Sequence, residues 1–517
     1  MSTSYISRKN RFNNTTQFKE SFSESSNPTV GYFFIGNSIP YENESLPIDI
    51  EDTVFDEKTV WNNMIAAKKI IGSDLELIIP KKIYANNCYY IQYDDKLSLN
   101  DLLISNTESQ LYPFYVINNE NHVYKCLSNN YGSISTIEPT GTGQGTAGVV
   151  TTTDSYNWQY MYTVPESNKF YTNNWIPVPI NTNKLGYLEN NFTPIDGSIF
   201  SISLENSGNN YFNGIIEVNP FTSSCTILTY SATTDVSNTI SLNMEISGNG
   251  IQQGTYIQNI DLFNRYIYLS YPTISSGGSS GNNIQTLTRT IIVGDGFGAI
   301  CNTVVANGSV TQIRVDNFGQ EYNYASVLIY GTGQDASARA IISPKFGHGY
   351  NPAKELGCNT VMVVMNLNTS NNFSANTTFR QYGIMVDPYK YGETSPVTFS
   401  NSESTISQTT NVILLELNTE YELNELVYQG SSDNPTFSGI INEKVVNENK
   451  LKLIDVKGSI TIGSVLKSNS EISGISVQDI EYPEFEPYSG DVLFVRNIEA
   501  IQRSEEQIEN IKVIVQF

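Results

Sequence analysis

Histidine is scarce in this chain, which limits the acid–base and metal chemistry that its sequence supports. Among 517 residues only His122 and His348 are histidines, and neither has a Cys or His neighbour at metal-ligand spacing. His122 lies in a predicted strand beside Tyr124, and His348 lies between two glycines. A His-dependent triad would need one of these two residues, and no G-x-S-x-G motif accompanies them. We therefore predict a structural role for both histidines.

Carboxylates are abundant, with 52 Asp and Glu residues in the chain. Glycoside hydrolysis needs two of them about 5–10 Å apart in a cleft, and sequence spacing does not specify such a pair. We predict a solvated surface role for the carboxylates, for example Asp94, Asp95, Glu481, Glu484 and Glu486.

Two glycine-rich motifs have the composition of nucleotide-binding loops but not their spacing. Residues 294–298 (GDGFG) are followed by β-branched sequence, so no helix N-terminus is available to hold a pyrophosphate. Residues 141–145 (GTGQG) lack the Gly-Lys-Ser/Thr of a P-loop. We predict a repeated turn for the first motif and a flexible or partner-docked loop for the second. The sequence thus offers no catalytic, cofactor-binding or metal-ligating residue and no cofactor, and we do not expect an enzyme.

The charge balance narrows the possible partners. The chain has 29 basic and 52 acidic residues, a formal net charge of −23. Nucleic-acid binding needs a basic stripe that displaces counterions, and anionic membrane surfaces need a similar one. We therefore expect neither nucleic acid nor membrane as a partner, and we attribute the acidity to solubility.

Cysteine usage and the absence of apolar runs indicate folding in the cytoplasm. The five cysteines are scattered and odd in number, which is typical of reduced thiols. They are Cys88, Cys126, Cys225, Cys301 and Cys358. The first 14 residues contain no secretory core segment, and no run approaches the ~18–20 apolar residues of a membrane span.

The elements that position these residues are mostly strands. The run from Tyr112 to Pro179 is dense in aromatics, contains two of the three tryptophans and alternates strand-like pieces with Asn/Gly turns. It predicts a rigid β scaffold. Helices are fewer: one is predicted with Asp56 as its cap and apolar residues at helical spacing as far as the Gly72 stop. A one-turn helix is predicted after Asn351.

An internal repeat marks the middle of the chain. Ile292–Gly296 (IVGDG) matches Ile329–Gly333 (IYGTG) at an offset of 37 residues, and a second echo pairs residues 206–211 with 317–322. The repeat predicts a small β-domain of duplicated hairpins. Residues 401–480 contain further short strands that suit a small barrel or sandwich.

Several sequence blocks follow one another in a family-like order. They are FFIGNSIPY (33–41), the helix with Trp61 and Met64 followed by DLELIIPKKIY (74–84), YPFYVINNENHVYKCLSNNYG (112–132), STIEPTGTG (135–143), SYNWQYMYTV (155–164), NNWIPVPI (173–180), FRQYGIMVDP (379–388) and GDVLFVRNIEAIQRSEEQIENIKVIVQF (490–517). In this order the blocks resemble the dimer-forming baseplate wedge subunit of T-even-like contractile-tailed bacteriophages. The resemblance covers roughly residues 30–185, 345–390 and 485–517.

The resemblance and the composition together predict a mainly β, multidomain protein with a discontinuous core and two β-rich insertions. The predicted segments are an extended N-terminal arm (1–29), the first part of the core (30–200), the insertion with the repeat (201–342), the second part of the core (343–400), a small barrel or sandwich (401–480) and the C-terminal core strands (481–517).

The resemblance implies a structural protein of the virion, a late product assembled in the host cytoplasm into the tail baseplate. Its implied partners are the other wedge proteins, including the large peripheral subunit and the inner ring-forming subunit, and a second copy in a homodimer. The alternative is a receptor- or carbohydrate-binding tail protein whose insertions carry aromatic platforms. A glycan hydrolase is a more distant alternative.

Overall fold

The computed structural model of the protein describes residues 7–24, 29–103, 111–143, 148–180, 192–236, 238–277, 283–367, 377–394, 405–417, 420–503 and 508–517. Within them the chain is mainly β, as the sequence predicts. It divides into two compact units, unit 1 with Met1–Ile78 and Asn359–Phe517, and unit 2 with Ile79–Cys358. This division does not test the six predicted segments, which stay predictions. Gln144 and Gly145 of the GTGQG motif lie outside the described residues.

The elements before residue 81 are α1 (Arg8–Ser21), β1 (Gly31–Gly36), α2 (Val54–Asn62), β2 (Met64–Lys69) and β3 (Leu75–Pro80). Those up to residue 358 are β4 (Tyr89–Tyr90), α3 (Leu99–Leu102), β5 (Leu111–Tyr112), β6 (Tyr115–Ile117), β7 (His122–Ser128), β8 (Val149–Thr151), β9 (Asn157–Thr163), β10 (Trp175–Pro177), β11 (Ile199–Asn209), β12 (Gly214–Glu217), β13 (Ile227–Thr229), β14 (Glu245–Ser247), β15 (Ile257–Asp261), β16 (Tyr266–Leu269), β17 (Asn283–Leu287), β18 (Arg289–Gly294), β19 (Phe297–Ala306), β20 (Ser309–Gln320), β21 (Ala325–Tyr330), β22 (Gln334–Ile342) and α4 (Pro352–Glu355). The remainder are β23 (Thr360–Leu367), β24 (Thr378–Val386), β25 (Thr405–Ser407), β26 (Thr410–Leu414), β27 (Leu426–Ser431), β28 (Asn434–Val445), β29 (Lys450–Gly458), β30 (Val465–Leu466), β31 (Ile475–Glu481), β32 (Asp491–Gln502) and β33 (Glu509–Gln516).

Unit 1 contains a five-stranded sheet with the order β25-β2-β1-β24-β32. Its middle strand, β1, is the continuous apolar run GYFFIG, and every residue of it is buried. A short apolar run without alternation is typical of a strand covered on both faces. β1 pairs antiparallel with β24, and β24 pairs antiparallel with β32, so distant parts of the chain are hydrogen-bonded neighbours.

Two further groups of strands complete unit 1. The largely apolar run TVMVVMNL is β23, which pairs with β3 on one side and with the C-terminal strand β33 on the other. The second group is a six-stranded sheet, β27-β28-β29-β26-β31-β30. Paired backbone hydrogen bonds between Tyr428 and Lys467, of 2.8 and 2.9 Å, join its two ends. The sheet is therefore nearly closed and barrel-like, which is one of the two forms, a small barrel or a sandwich, that its sequence predicts.

The aromatic run of unit 2 builds the sheet β6-β7-β9-β8 and its core. Trp158 is fully buried, and its ring lies 5.6 Å from that of Tyr156 and 5.2 Å from that of Tyr90. Such edge-on and offset ring contacts stabilise a core beyond their buried area. The β-scaffold prediction is confirmed, and these rings form its interior.

The repeat in unit 2 is a pseudo-twofold module. In sequence, β18 and β19 align with β21 and β22 at an offset of about 37 residues. β11 aligns with β20 at an offset of 111 residues. The ladders obey the same symmetry: β11 pairs with β22 as β20 pairs with β19, and both ladders shift register at equivalent points. The third ladder joins β18 to β21, and the pseudo-twofold relation maps this ladder onto itself. The core repeats likewise, with Ile199, Ile202 and Tyr211 equivalent to Val310, Ile313 and Tyr322.

A second small β-domain is nested inside this module. It occupies residues 214–287, between β11 and β18, and contains the strands β12 to β17. Its core runs from Ile216 to Ile284 without a contribution from the module. In the other half of the module, β20 and β21 are joined directly by residues 321–324. The nested domain therefore replaces a short turn.

Two sequence predictions were wrong in unit 1. Residues 1–29 were predicted as an extended arm, but Arg8–Ser21 form α1, whose Phe18 ring lies 5.3 Å from that of Phe517. The second helix is capped by Thr53 rather than Asp56 and ends at Asn62 instead of Gly72. Met64 and Ile65 fit helical spacing, but pairing with the buried strand β1 places them in β2.

Candidate functional site

A buried pair of titratable groups in unit 2 lies on β7 and on the α4 turn. Lys125 is on β7 and is fully buried, and its ammonium donates to the carboxylate of Glu355. Asn351 caps α4 and Pro352 starts it, which fixes the position of Glu355. The sequence signal for this turn was correct, but nothing in it indicates that Lys125 is the partner.

Glu355 also orders the loop before its own helix. Its carboxylate accepts hydrogen bonds from the backbone N–H of Gly349 at 2.9 and 3.1 Å and of Asn351 at 3.1 Å. The ammonium of Lys125 also lies 4.9 Å from the centre of the Tyr93 ring. Burial lowers the pKa of Lys125, and the Glu355 carboxylate opposes that shift.

His348 completes this buried cluster. Its ring lies 4.9 Å from that of Tyr93 and 5.5 Å from that of Phe200. Its Nδ1 lies 3.9 Å from the Glu355 carboxylate and has no hydrogen-bond partner among the described residues. Burial, with the positive charge of Lys125, holds the pKa of His348 well below its ordinary value. The cluster therefore holds one ion pair and a neutral imidazole, and it fastens the loop around residue 348 to β7.

The other histidine is also a local structural residue. His122 Nδ1 lies 3.1 Å from the Tyr124 hydroxyl and 3.5 Å from the Glu120 carboxylate. Burial lowers the pKa of His122, and Glu120 opposes that shift. His122 and His348 thus make separate contacts, and the structural role predicted for both stays a prediction.

The carboxylates that the sequence singles out are engaged within the protein. Asp94 accepts hydrogen bonds of 2.6 and 2.7 Å from the guanidinium of Arg339 and one of 2.8 Å from the backbone N–H of Lys96. Asp95 accepts from the same guanidinium and from the backbone N–H of Ile342. The Asp94 side chain is only 17% exposed. The prediction of a solvated surface was therefore wrong for Asp94, because its partner lies far away in sequence on β22.

The glutamates near residue 484 accept hydrogen bonds that hold the segment following β31. Glu481 accepts from Asn411 at 2.9 Å and lies 3.2 Å from the Lys450 ammonium. Glu484 and Glu486 accept from backbone N–H groups at 2.5 and 2.9 Å. Within the described residues, no group of three or more His, Cys, Asp or Glu side chains could hold a metal ion.

The glycine motifs occupy turns. Residues 294–298 join β18 to β19, as predicted, and a Cβ at Gly296 would lie 2.5 Å from the ring of Tyr322. Gly141 accepts a hydrogen bond of 2.5 Å from the Tyr124 hydroxyl. Residues 137–143 and 150–153 line an open cleft of about 500 Å³, and a second cleft of about 420 Å³ lies beside Tyr90 and Asp94.

Exposed apolar side chains, which sequence reasoning missed, are the remaining candidates for an interface. Trp61 and Trp158 are buried and Trp175 is half-buried, so the tryptophans contribute little surface. Within ten residues of unit 1, four large apolar side chains are instead exposed: Leu46 (71%), Ile48 (66%), Val54 (69%) and Phe55 (77%). The signal for them was an apolar–acidic alternation without strand or helix periodicity, in the sequence SLPIDIEDTVFDE.

No protein-family model matches the chain, and no curated protein matches it. Among the helices formed by described residues, none is both long and apolar enough to cross a membrane.

Proposed function

We propose that the protein is a structural component of the baseplate wedge of a contractile phage tail. It holds neighbouring wedge proteins in register through protein–protein interfaces and carries out no reaction. Its partners are the large peripheral and the inner ring-forming wedge subunits, together with a second copy of itself. It resides in the tail baseplate of the virion after assembly in the host cytoplasm.

The observation that carries this proposal is the meeting of the resembling blocks in one sheet. FFIGNSIPY contains most of β1, FRQYGIMVDP contains most of β24, and the C-terminal block contains β32. These strands lie side by side in the order β1-β24-β32, although more than 300 residues separate the first from the second in sequence. Blocks that resemble the family at separate places in the sequence thus belong to one folding core.

The engagement of the titratable groups also supports a binding role. Lys125, Glu355, Asp94 and Arg339 are used in internal ion pairs. A protein whose charged groups fasten its own loops presents a rigid body, and rigid bodies suit permanent interfaces because little ordering entropy is lost on association.

The test is reconstitution with the tail proteins encoded in the same genome. The full chain would be mixed with each purified tail protein, and the mass of any complex measured by light scattering after size-exclusion chromatography. We expect a dimer of this chain in a stoichiometric complex with at least one wedge protein. A stable monomer that joins none of them would overturn the proposal.

The receptor-binding alternative predicts a different result in the same preparation. Sugar platforms need exposed aromatic rings, and burial of Trp61 and Trp158 removes the strongest ones from the surface. Binding of host-surface glycan, without binding of tail proteins, would favour that alternative.

A further inference from the structure

A short segment of unit 1 carries an unusual concentration of exposed apolar and acidic side chains. Residues 42–57, here called the acidic strap, comprise part of the connection between β1 and α2 and the first turn of α2. They include the four exposed apolar side chains of Leu46, Ile48, Val54 and Phe55. Single exposed apolar residues are ordinary on protein surfaces, but a contiguous group marks an interaction site.

The acidic strap is anchored at several points along its length. The buried guanidinium of Arg380 donates to Glu44 at 2.9 and 3.0 Å. Farther along, the Asn497 side chain donates to the carbonyl of Ile48 at 2.8 Å. At the far end Thr53 caps α2 by accepting from the Asp56 N–H at 3.1 Å. Its apolar side chains are therefore presented from a held backbone, which lowers the entropy cost of docking.

Charge identifies the kind of partner. Five acidic residues of the strap are exposed, and no ion pair involves them among the described residues: Glu42, Asp49, Glu51, Asp52 and Glu57. A second copy of this chain, with its net charge of −23, would be repelled by the strap. A surface of opposite sign would be attracted and steered towards it.

We propose that the acidic strap docks into an apolar groove flanked by lysine and arginine on a different protein. Phe55 and Ile48 enter the groove, and the carboxylates face its basic rim. The inference rests on the proposed function only in that the partner is sought among the tail proteins.

The test compares two double variants in the full chain. Ile48→Ser/Phe55→Ser removes apolar side chains of the strap, while Leu415→Ser/Ile472→Ser removes equally exposed ones elsewhere in unit 1, with 63% and 73% exposure in the native chain. Affinity for each purified tail protein would be measured by titration calorimetry. We expect the strap variant to weaken the complex by at least about tenfold, as loss of interface anchors does. The control variant should leave the affinity unchanged.

A charge variant supplies an independent measurement. Asp49→Asn/Asp52→Asn is expected to slow association and to flatten its dependence on salt, because steering acts on the rate of encounter. All of these side chains are exposed, so circular dichroism and melting temperature should match those of the native chain.

The outcomes separate this inference from the proposed function. A complex that forms equally well with the strap variant would overturn the inference and leave the wedge assignment standing. Loss of self-association alone in the strap variant would overturn it too, since the occupant would be a second copy. If the native chain binds no tail protein, both proposals fall.

Discussion

The ion pair between Lys125 and Glu355 shows how much a single buried contact can matter. Replacing Glu355 by Gln leaves a buried ammonium without its counter-charge, and it weakens the hydrogen bonds to the loop N–H groups. We expect unit 2 to lose about 3–5 kcal/mol of unfolding free energy. Urea unfolding followed by tryptophan fluorescence reports it, since Trp158 and Trp175 lie in this unit.

The matched control for that pair removes both charges. Lys125→Met/Glu355→Gln leaves no uncompensated charge, so it should regain much of the stability that Glu355→Gln loses. Equal stability of the single variant and the native protein would mean that the ion pair contributes nothing.

His348 gives unit 2 a dependence on pH with a definite sign. The folded state keeps the imidazole neutral beside Lys125, Glu355 and Tyr93, whereas the unfolded chain binds a proton near the ordinary pKa of 6.5. Below that pH the unfolded state binds more protons, so stability should fall as pH drops from about 7 to 5. Unfolding free energies measured across this pH range should depend less on pH in His348→Gln than in the native protein. The same change should be smaller in His122→Gln. An unchanged slope in His348→Gln would contradict this assignment.

At this scale the sequence predicted the roles of single residues better than their partners. His348 was predicted to be structural, and it lies buried beside Glu355. Lys125 sits in an aromatic strand, and its partner lies 230 residues away. Pairing at such separation depends on the tertiary fold and leaves no local pattern.

Among the elements, the duplicated hairpins specify where glycine is needed. A Cβ at Gly296 would lie 2.5 Å from Tyr322, and one at Gly333 would lie 2.3 Å from Tyr211. We expect Gly296→Ala and Gly333→Ala each to cost about 1–3 kcal/mol, by forcing the ring and backbone apart. Denaturant unfolding of the two variants should give similar losses, because the sites are equivalent.

Gly298 is the internal control for this prediction. Its φ of 85° matches that of its equivalent, Asp335, at 67°. Since an Asp side chain is accommodated there, Gly298→Asp should cost less than about 1 kcal/mol. A larger loss at Gly298 than at Gly296 would contradict the proposed equivalence.

The element predictions failed where tertiary pairing outweighed local spacing. β2 has apolar residues that suit a helix, yet it pairs with β1 because the sheet buries Met64 and Ala67 completely. Conversely, α1 has almost no apolar stripe, so its helix could not be read from periodicity. Strands with continuous apolar runs, such as β1 and β23, were predictable.

At the scale of the whole molecule, deletion of the nested domain tests whether the module folds without it. Asn213 and Thr288 correspond to the adjacent residues Tyr324 and Ala325 in the other half, and the Thr288 N–H donates to the Asn213 side chain at 2.7 Å. Deleting residues 214–287 should therefore leave the module folded. All three tryptophans lie outside the deletion, so their unfolding transition should be preserved.

A longer deletion provides the control. Removing 210–287 also removes Tyr211, the ring that packs on Gly331 and Gly333, and should destabilise unit 2 strongly. If both deletions misfold, the nested domain is part of the module after all. The sequence predicted a single β-rich insertion with a repeat here. The sequence showed the echo between β11 and β20, but not that residues 214–287 form a separate domain between two parts of the module.

The twofold module also records how such a domain can arise. Each of its three ladders joins a strand of one half to a strand of the other, so neither half has a ladder of its own. A three-stranded precursor would have had to form a homodimer before its core was complete. Duplication and fusion would then have joined the two copies in one chain. A peptide of residues 309–342 should accordingly assemble in pairs, a miniature of that ancestor.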